Sequence, residues 1–214
     1  MGFVDIHTHQ KNIAKNVFSI ENKYPTSTDF SKPFSIGIHP WFIKKESLQN
    51  ELLFVQEKLH HKNCMALGEC GLDKISEVDM ALQKLVFRKQ IQFSEEYKKP
   101  LIIHCVRAFH DIIEIKKEMK PSQIWVLHGF NKNSQVAERL LKNGMMLSFG
   151  AGIIPNKKLQ EVVFKTPISS ILLETDTAEI SIEKVYQKMA AIKNINLETL
   201  TSEIKQNFKS IFKK

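Results

Sequence analysis

Short apolar runs alternate with longer amphipathic stretches along most of the chain. Each run is nearly continuous in hydrophobic residues and ends in a polar residue, which is typical of strands buried on both faces, as in parallel sheets. We expect eight such strands, at Phe3–His7, Val17–Ile20, Phe34–His39, Met65–Glu69, Leu101–His104, Ile124–His128, Met145–Phe149 and Ile171–Glu174.

The stretches between these runs carry apolar residues at helical spacing. The clearest is Val78–Lys98, after which Pro100 marks the entry to the next strand. The other helices are expected at Leu48–His60, Asp111–Met119, Ser134–Lys142, Leu159–Phe164, Ile182–Lys193 and Leu197–Phe212.

Alternating strands and helices predict right-handed βαβ units, and eight strands indicate a (β/α)8 barrel. The first third is short for that fold, because only nine residues, 8–16, separate the first two runs and Glu21–Pro33 has the composition of a loop. We therefore expect an α/β protein with an abridged or distorted TIM (β/α)8-type barrel, in a single domain over residues 1–214. A doubly wound open sheet is the alternative.

The composition is that of a soluble globular protein, with 43% hydrophobic and 25% charged residues. No apolar run approaches the ~20 residues of a membrane span, and residues 1–5 do not resemble the start of a secretory signal. Three cysteines, Cys64, Cys70 and Cys105, cannot all pair. We expect a cytoplasmic protein with no membrane association.

The chain is basic, with 31 Lys and Arg against 23 Asp and Glu, a net charge of +8 and a pI near 9.3. This balance favours anionic partners such as nucleic acids or phosphorylated metabolites. The lysines are scattered along the sequence, which also fits an ordinary solvated surface.

Metal-competent side chains follow or end five of the predicted strands. In α/β folds that edge is where active sites lie. The residues are His7, His9, Glu69, His104, His128 and Asp176. Any one could be a structural buried polar residue, but five strand ends of this kind are hard to assign to packing. Six ligands exceed what one catalytic ion needs and fit two ions bridged by a carboxylate.

The donor set of imidazoles and carboxylates suits Zn²⁺, Mn²⁺, Fe²⁺ or, with fewer histidines engaged, Mg²⁺. Hydrolysis by a metal-activated water is the natural reaction of such a centre. Asp176 is our candidate for both metal ligand and general base, and Glu69 is the second candidate catalytic carboxylate.

Four further residues are candidates for substrate binding. His39 and Arg107 could contact a phosphate, and Trp41 could stack on a base. Asp73 could orient a metal ligand. For Trp41 and Arg107, packing and a surface ion pair are the alternatives. No GxGxxG, GxxxxGK[ST] or GxSxG sequence is present, so we expect no nucleotide cofactor and no serine nucleophile.

The sequence resembles the TatD family of metal-dependent hydrolases, within the amidohydrolase-like superfamily. The matching segments run in order over nearly the whole chain: Asp5–His9, Gly37–Pro40, Leu67–Asp73, Gln83–Gln90, Pro100–His104 with Arg107, His128–Phe130, Gly144, Ser148–Gly150, Leu173–Asp176 and Asn207–Phe212.

The resemblance implies a TIM-like barrel and divalent-metal hydrolysis, commonly of DNA and often from the 3′ end. At the matching positions it implies His7, His9, Glu69, His104, His128 and Asp176 as metal ligands, with His39 and Arg107 facing the phosphate. The segment between His9 and Gly37 is shorter than the family pattern, and Asn131–Lys132 and Thr177–Ile180 depart from it.

Our hypothesis is a monomeric, metal-dependent phosphodiesterase, most simply a 3′→5′ exonuclease-like deoxyribonuclease using Mg²⁺, Mn²⁺ or Zn²⁺. One alternative is an amidohydrolase that cleaves a C–N or ester bond in a small metabolite. The other is a non-catalytic module that binds metal or nucleic acid.

Overall fold

The computed structural model describes residues 2–10 and 14–212. Within them lie eight strands and seven α-helices, and from the third strand to the sixth α-helix strands and α-helices alternate as the sequence predicts. The strands are β1 (Phe3–Thr8), β2 (Val17–Lys23), β3 (Phe34–Ile36), β4 (Cys64–Asp73), β5 (Leu101–Val106), β6 (Trp125–Leu127), β7 (Met145–Phe149) and β8 (Ile171–Leu173). The helices are α1 (Leu48–Leu59), α2 (Met80–Tyr97), α3 (Phe109–Met119), α4 (Ser134–Lys142), α5 (Lys157–Lys165), α6 (Ile182–Lys193) and α7 (Leu197–Ile211).

Most helices begin at a side chain that caps them. Asp79 accepts a hydrogen bond from Leu82 N at the start of α2. Asparagines do the same for α4, α5 and α7, at Asn133, Asn156 and Asn196. Such caps satisfy backbone N–H groups that have no partner inside the helix, and they explain why these helices begin where they do.

The described residues form two compact units, and one of them comprises residues 2–21 and 127–212. In this unit β1 pairs in parallel with β2, and β7 with β8. A parallel bridge between Thr8 and Asp176 joins β1 to the segment after β8. Helix α6 packs on β1, where the buried Tyr186 hydroxyl accepts from Val4 N at 3.2 Å and donates to Val4 O at 3.0 Å.

The other unit comprises residues 22–126. Its strands β3, β4, β5 and β6 are neighbours in chain order, and β4 pairs in parallel with β3 and β5. All ten residues of β4 are buried, although Gly68, Glu69 and Gly71 interrupt its apolar sequence. Helix α2 covers this strand and buries Val86, Phe87 and Ile91.

The structure changes several predicted boundaries; strand β3 ends at Ile36 and not at His39, and two further differences also affect the site. Glu21–Lys23 belong to β2 and not to the loop predicted over Glu21–Pro33, because Glu21 and Asn22 are buried as part of the strand. Strand β4 continues four residues beyond the predicted end at Glu69, because Cys70–Asp73 keep pairing with β5. The connection between β1 and β2, where we expected no crossover helix, lies partly outside the described residues.

No helix in the described ranges has the length and apolarity needed to cross a bilayer. That a single domain spans residues 1–214 stays a prediction.

Candidate metal centre

Asp176 is fixed against β1 by its own backbone. Its N–H donates to His7 O at 2.9 Å, and its carbonyl accepts from His9 N at 3.0 Å. The residue adopts a φ of 52°, which lies in the left-handed region. As a result Asp176 Oδ1 lies 3.6 Å from His7 Nε2 and 3.5 Å from His9 Nε2. The carboxylate therefore meets two imidazoles of the predicted ligand set.

His128 joins this cluster from the end of β6. Its ring centroid lies 4.3 Å from that of His7. His7, His128 and Asp176 each offer one ligand atom, and these three atoms all lie within 4.8 Å of one another. Metal–ligand bonds of about 2 Å are compatible with such separations after small adjustments.

Glu174 is a residue of this cluster that sequence reasoning did not place in the site. It is fully buried, its Oε1 accepts from Gly129 N at 2.6 Å, and the same oxygen lies 3.5 Å from His128 Nδ1. A carboxylate beside one nitrogen of a metal-binding imidazole fixes the ring orientation and leaves the other nitrogen for the ion. Glu174 is therefore suited to position His128.

Asp5 is hydrogen-bonded to the segment that carries Asp176. Its carboxylate accepts from Thr175 Oγ1 at 2.6 Å and from Thr175 N at 3.1 Å, and Thr175 Oγ1 lies 2.7 Å from Thr8 Oγ1. Burial raises the pKa of Asp5 to about 7, although the Thr175 hydrogen bonds oppose this. These contacts tie the segment carrying Asp176 to β1.

A second cluster lies within residues 22–126 and centres on Glu69. Glu69 Oε1 is 2.9 Å from His104 Nδ1 and 3.3 Å from His39 Nε2. His39 Nδ1 accepts from Trp41 N at 3.1 Å, so the neutral ring carries its proton on Nε2. In that state His39 Nε2 donates towards Glu69, although His39, Glu69 and His104 also offer three ligand atoms that lie within 4.8 Å of one another. Glu69 and His104 are the stronger ligand candidates here.

Asp73 lies beneath His104 and is fully buried. Its Oδ2 lies 2.8 Å from His104 Nε2 and accepts from Trp41 Nε1 at 2.6 Å, while Oδ1 accepts from Ile75 N at 2.8 Å. Burial alone would raise the pKa of Asp73, but the hydrogen bonds from His104, Ile75 and Trp41 outweigh it and lower the pKa below the usual 3.8. Asp73 thus orients both His104 and Trp41.

The remaining sequence candidates are exposed. Half of the Trp41 surface is exposed, at 50%. Arg107 follows β5 as an exposed residue with a φ of 55°. Both leave their outer faces accessible to a ligand.

Comparison with known proteins places the chain in a family. The family model described as "TatD related DNase" matches residues 2–213.

The chain belongs to the TatD-related DNase family.

Two curated relatives illustrate the range of this TatD family. A protein of Buchnera aphidicola named as an uncharacterized metal-dependent hydrolase is 35% identical over 196 residues, covering 83% of this chain and 73% of its own length. A human protein named as the 3′-5′ RNA nuclease TATDN2 is 33% identical over 151 residues, covering 66% of this chain and 19% of its own length. The chain is a metal-dependent hydrolase of the TatD family.

The fold agrees with this assignment. The crystal structure of the TatD homologue YJJV of Escherichia coli superposes with a TM-score of 0.84 at 21% identity, covering 98% of this chain and 97% of that one. The predicted α/β fold of the (β/α)8-barrel type is thereby confirmed.

The residues of this TatD protein fit divalent ions. Imidazole nitrogens and carboxylate oxygens in one cluster are the ligands preferred by zinc, manganese and iron. Among the described residues, Glu174 Oε2 is buried without a hydrogen-bond partner. A buried carboxylate oxygen in that state is costly unless a donor or cation is close by.

Three buried amides of this TatD protein support the cluster around Glu69. Gln83 Oε1 accepts from Asp73 N at 2.8 Å and its Nε2 donates to Asp73 O at 3.0 Å. Gln90 makes the same two-way contact with the backbone of Ile38, and Asn22 Oδ1 accepts from Glu69 N at 3.0 Å. Gln83 and Gln90 are seven residues apart and therefore lie on the same face of α2. Polar residues on the buried face of this helix are the sequence feature that could have indicated their role.

Proposed function

We propose that this TatD protein is a nuclease that hydrolyses phosphodiester bonds of DNA or RNA. The observation that carries the proposal is the Asp176 carboxylate, held between the imidazoles of His7 and His9. The family description and the name of the human relative support a nucleic-acid substrate. The net charge of +8 supports attraction of a polyanion.

We assign His7, His9, His128 and Asp176 to one ion, and Glu69 with His104 to another. Bound divalent ions would supply a water made acidic at neutral pH and a positive charge for the phosphate oxygens. Adding back Mg²⁺, Mn²⁺ or Zn²⁺ separately after chelation distinguishes the three ions.

Each proposed role follows from a contact. Asp176 has a carboxylate that is 37% exposed, so it can accept the proton of an attacking water while its backbone stays fixed on β1. Glu69 Oε1 and His104 Nδ1 lie 2.9 Å apart and would both face the same ion, while Asp73 orients the His104 ring through Nε2. His39 can donate its Nε2 proton to a phosphate oxygen, and Arg107 adds a positive charge at the end of β5.

The experiment is hydrolysis of end-labelled single-stranded DNA and RNA after chelation, with Mg²⁺, Mn²⁺ or Zn²⁺ added back. Metal-dependent shortening should fall by roughly 100-fold or more in Asp176→Ala. Glu138→Gln, which removes an exposed carboxylate on α4, should retain the activity. The proposal fails if no metal restores cleavage, or if Asp176→Ala keeps most of it. The first of these results would redirect the search to a small phosphoester or amide.

The 3′→5′ polarity, the monomeric state, the cytoplasmic location and the independence of a nucleotide cofactor stay predictions. The ladder of products from substrates labelled at either end tests the polarity.

A further inference from the structure

A cavity of about 680 Å³ opens beside His39 within residues 22–126. Its wall is formed by the segment after β2, by the short 3₁₀ turn Pro40–Phe42 and by the residues that lead into α1. Ligand pockets for small molecules typically measure 300–1,000 Å³. The volume is therefore sufficient for one nucleotide-sized group.

Aromatic rings form one side of this cavity. Tyr24 and Phe42 meet edge to face, with ring centroids 5.4 Å apart. The Phe42 ring lies 5.3 Å from that of His39, yet 51% of Phe42 is exposed. Neighbouring Trp41 is exposed to the same degree, at 50%. Consecutive exposed aromatic residues beside a polar site are the arrangement on which nucleobases stack.

The charged side chains that line the cavity disfavour the binding of a phosphate group inside it. Its lining carries the carboxylates of Glu46 and Glu51 and the single ammonium of Lys44. Two carboxylates against one ammonium repel an anion but accept hydrogen bonds from the amino group of a neutral ring. His39 lines the cavity's margin, and its Nε2 lies 3.3 Å from Glu69 Oε1 in the second cluster, which is where the phosphate would meet it.

We propose that the cavity lined by Tyr24 and Phe42 is a nucleobase subsite, which holds the base of the nucleotide whose phosphate meets His39. The inference rests on the proposed nuclease function and adds a base contact to it. It requires that the base be unstacked from its neighbours to enter the cavity.

The test compares Phe42→Ala with Phe164→Ala, which removes a similarly exposed ring, 57% exposed, from α5. Substrates are a labelled oligonucleotide with all its bases and the same oligonucleotide with abasic terminal nucleotides. Because bases stack on exposed aromatic rings, Phe42→Ala should raise KM roughly tenfold on the intact substrate. It should leave KM on the abasic substrate unchanged, and Phe164→Ala should change neither. Equal KM values for Phe42→Ala and the unaltered protein on the intact substrate, or equal losses on both substrates, would overturn the subsite.

A binding measurement separates the subsite from the proposed reaction. Calorimetric titration of the chelated protein with adenosine monophosphate should give a signal that Phe42→Ala weakens, and ribose 5-phosphate should bind less well. Such binding without hydrolysis would leave the subsite standing while the nuclease proposal fails. Hydrolysis with no effect of Phe42→Ala on either measurement would support the nuclease proposal and overturn the subsite.

Discussion

Replacing Asp73 by asparagine should weaken the contact that holds Trp41 against the second cluster. In the native protein Asp73 Oδ2 accepts from Trp41 Nε1 at 2.6 Å and lies 2.8 Å from His104 Nε2. Asparagine that keeps its oxygen at the Oδ1 position, where it accepts from Ile75 N, places an NH₂ group at the Oδ2 position. His104 can change tautomer and accept from that group, whereas the Trp41 indole can only donate.

The magnitude follows from this difference. A hydrogen bond to a charged group contributes about 1.5–3 kcal/mol. Half of Trp41 is exposed, so its indole N–H can turn to water and the loss is reduced. We expect a coupling free energy between Asp73 and Trp41 of about 1–2 kcal/mol. Because the pKa of Asp73 lies below 3.8 in the folded protein, this contribution is complete above pH 3.8 and is lost as the pH falls further.

The assay is a double-mutant cycle of Asp73→Asn and Trp41→Phe, measured by urea unfolding of the chelated protein with circular dichroism. Chelation removes any contribution of bound metal to the free energy of unfolding. Glu118→Gln serves as control, because it weakens the exposed Arg88–Glu118 pair and should cost less than about 1 kcal/mol. A coupling below about 0.3 kcal/mol would refute the reasoning.

Two further predictions concern stability. Gly71→Ala should lower the free energy of unfolding by about 3–5 kcal/mol in urea, since a Cβ there would come within 2.1 Å of His104 O at a φ of +140°. Gly152→Ala, whose Cβ would meet nothing closer than 3.7 Å, should change it by less than about 1 kcal/mol, and similar losses in both variants would contradict the argument. For Asp111, burial alone would raise the pKa, but hydrogen bonds from two lysine ammonium groups lower it from 3.8 to about 2. The stability difference between the native protein and Asp111→Asn should therefore be full above pH 3.8 and shrink as the pH falls towards 2, and a difference that grows with acid would refute this.

The strands could be predicted because strands that are buried on both faces have nearly continuous apolar sequences. Trp125–Leu127 and Ile171–Leu173 are of this kind. The end of β4 could not be predicted in the same way, because Glu69 interrupts the apolar run while its backbone continues in the sheet. Glu69 therefore lies within β4 and not at its end, and His104 is followed by two further residues of β5.

The candidate ligands were predictable from residue type and place, whereas their supports depend on contacts between distant positions. Glu174 meets Gly129 and His128 across about 45 residues, and no local pattern records such a contact. Asp73 shows the same limit. Its sequence position indicated a role near the metal ligands, but only the structure shows that it accepts from the Trp41 indole while facing His104.

The most direct test of the central claim is phosphodiester cleavage measured against bound metal on the same samples. Protein freed of metal by chelation and verified by elemental analysis is loaded stepwise with Mn²⁺ or Zn²⁺ and assayed on end-labelled DNA. We predict negligible cleavage without metal and a rate that rises with occupancy to a plateau. Cleavage at an unchanged rate by the verified metal-free protein would contradict the account.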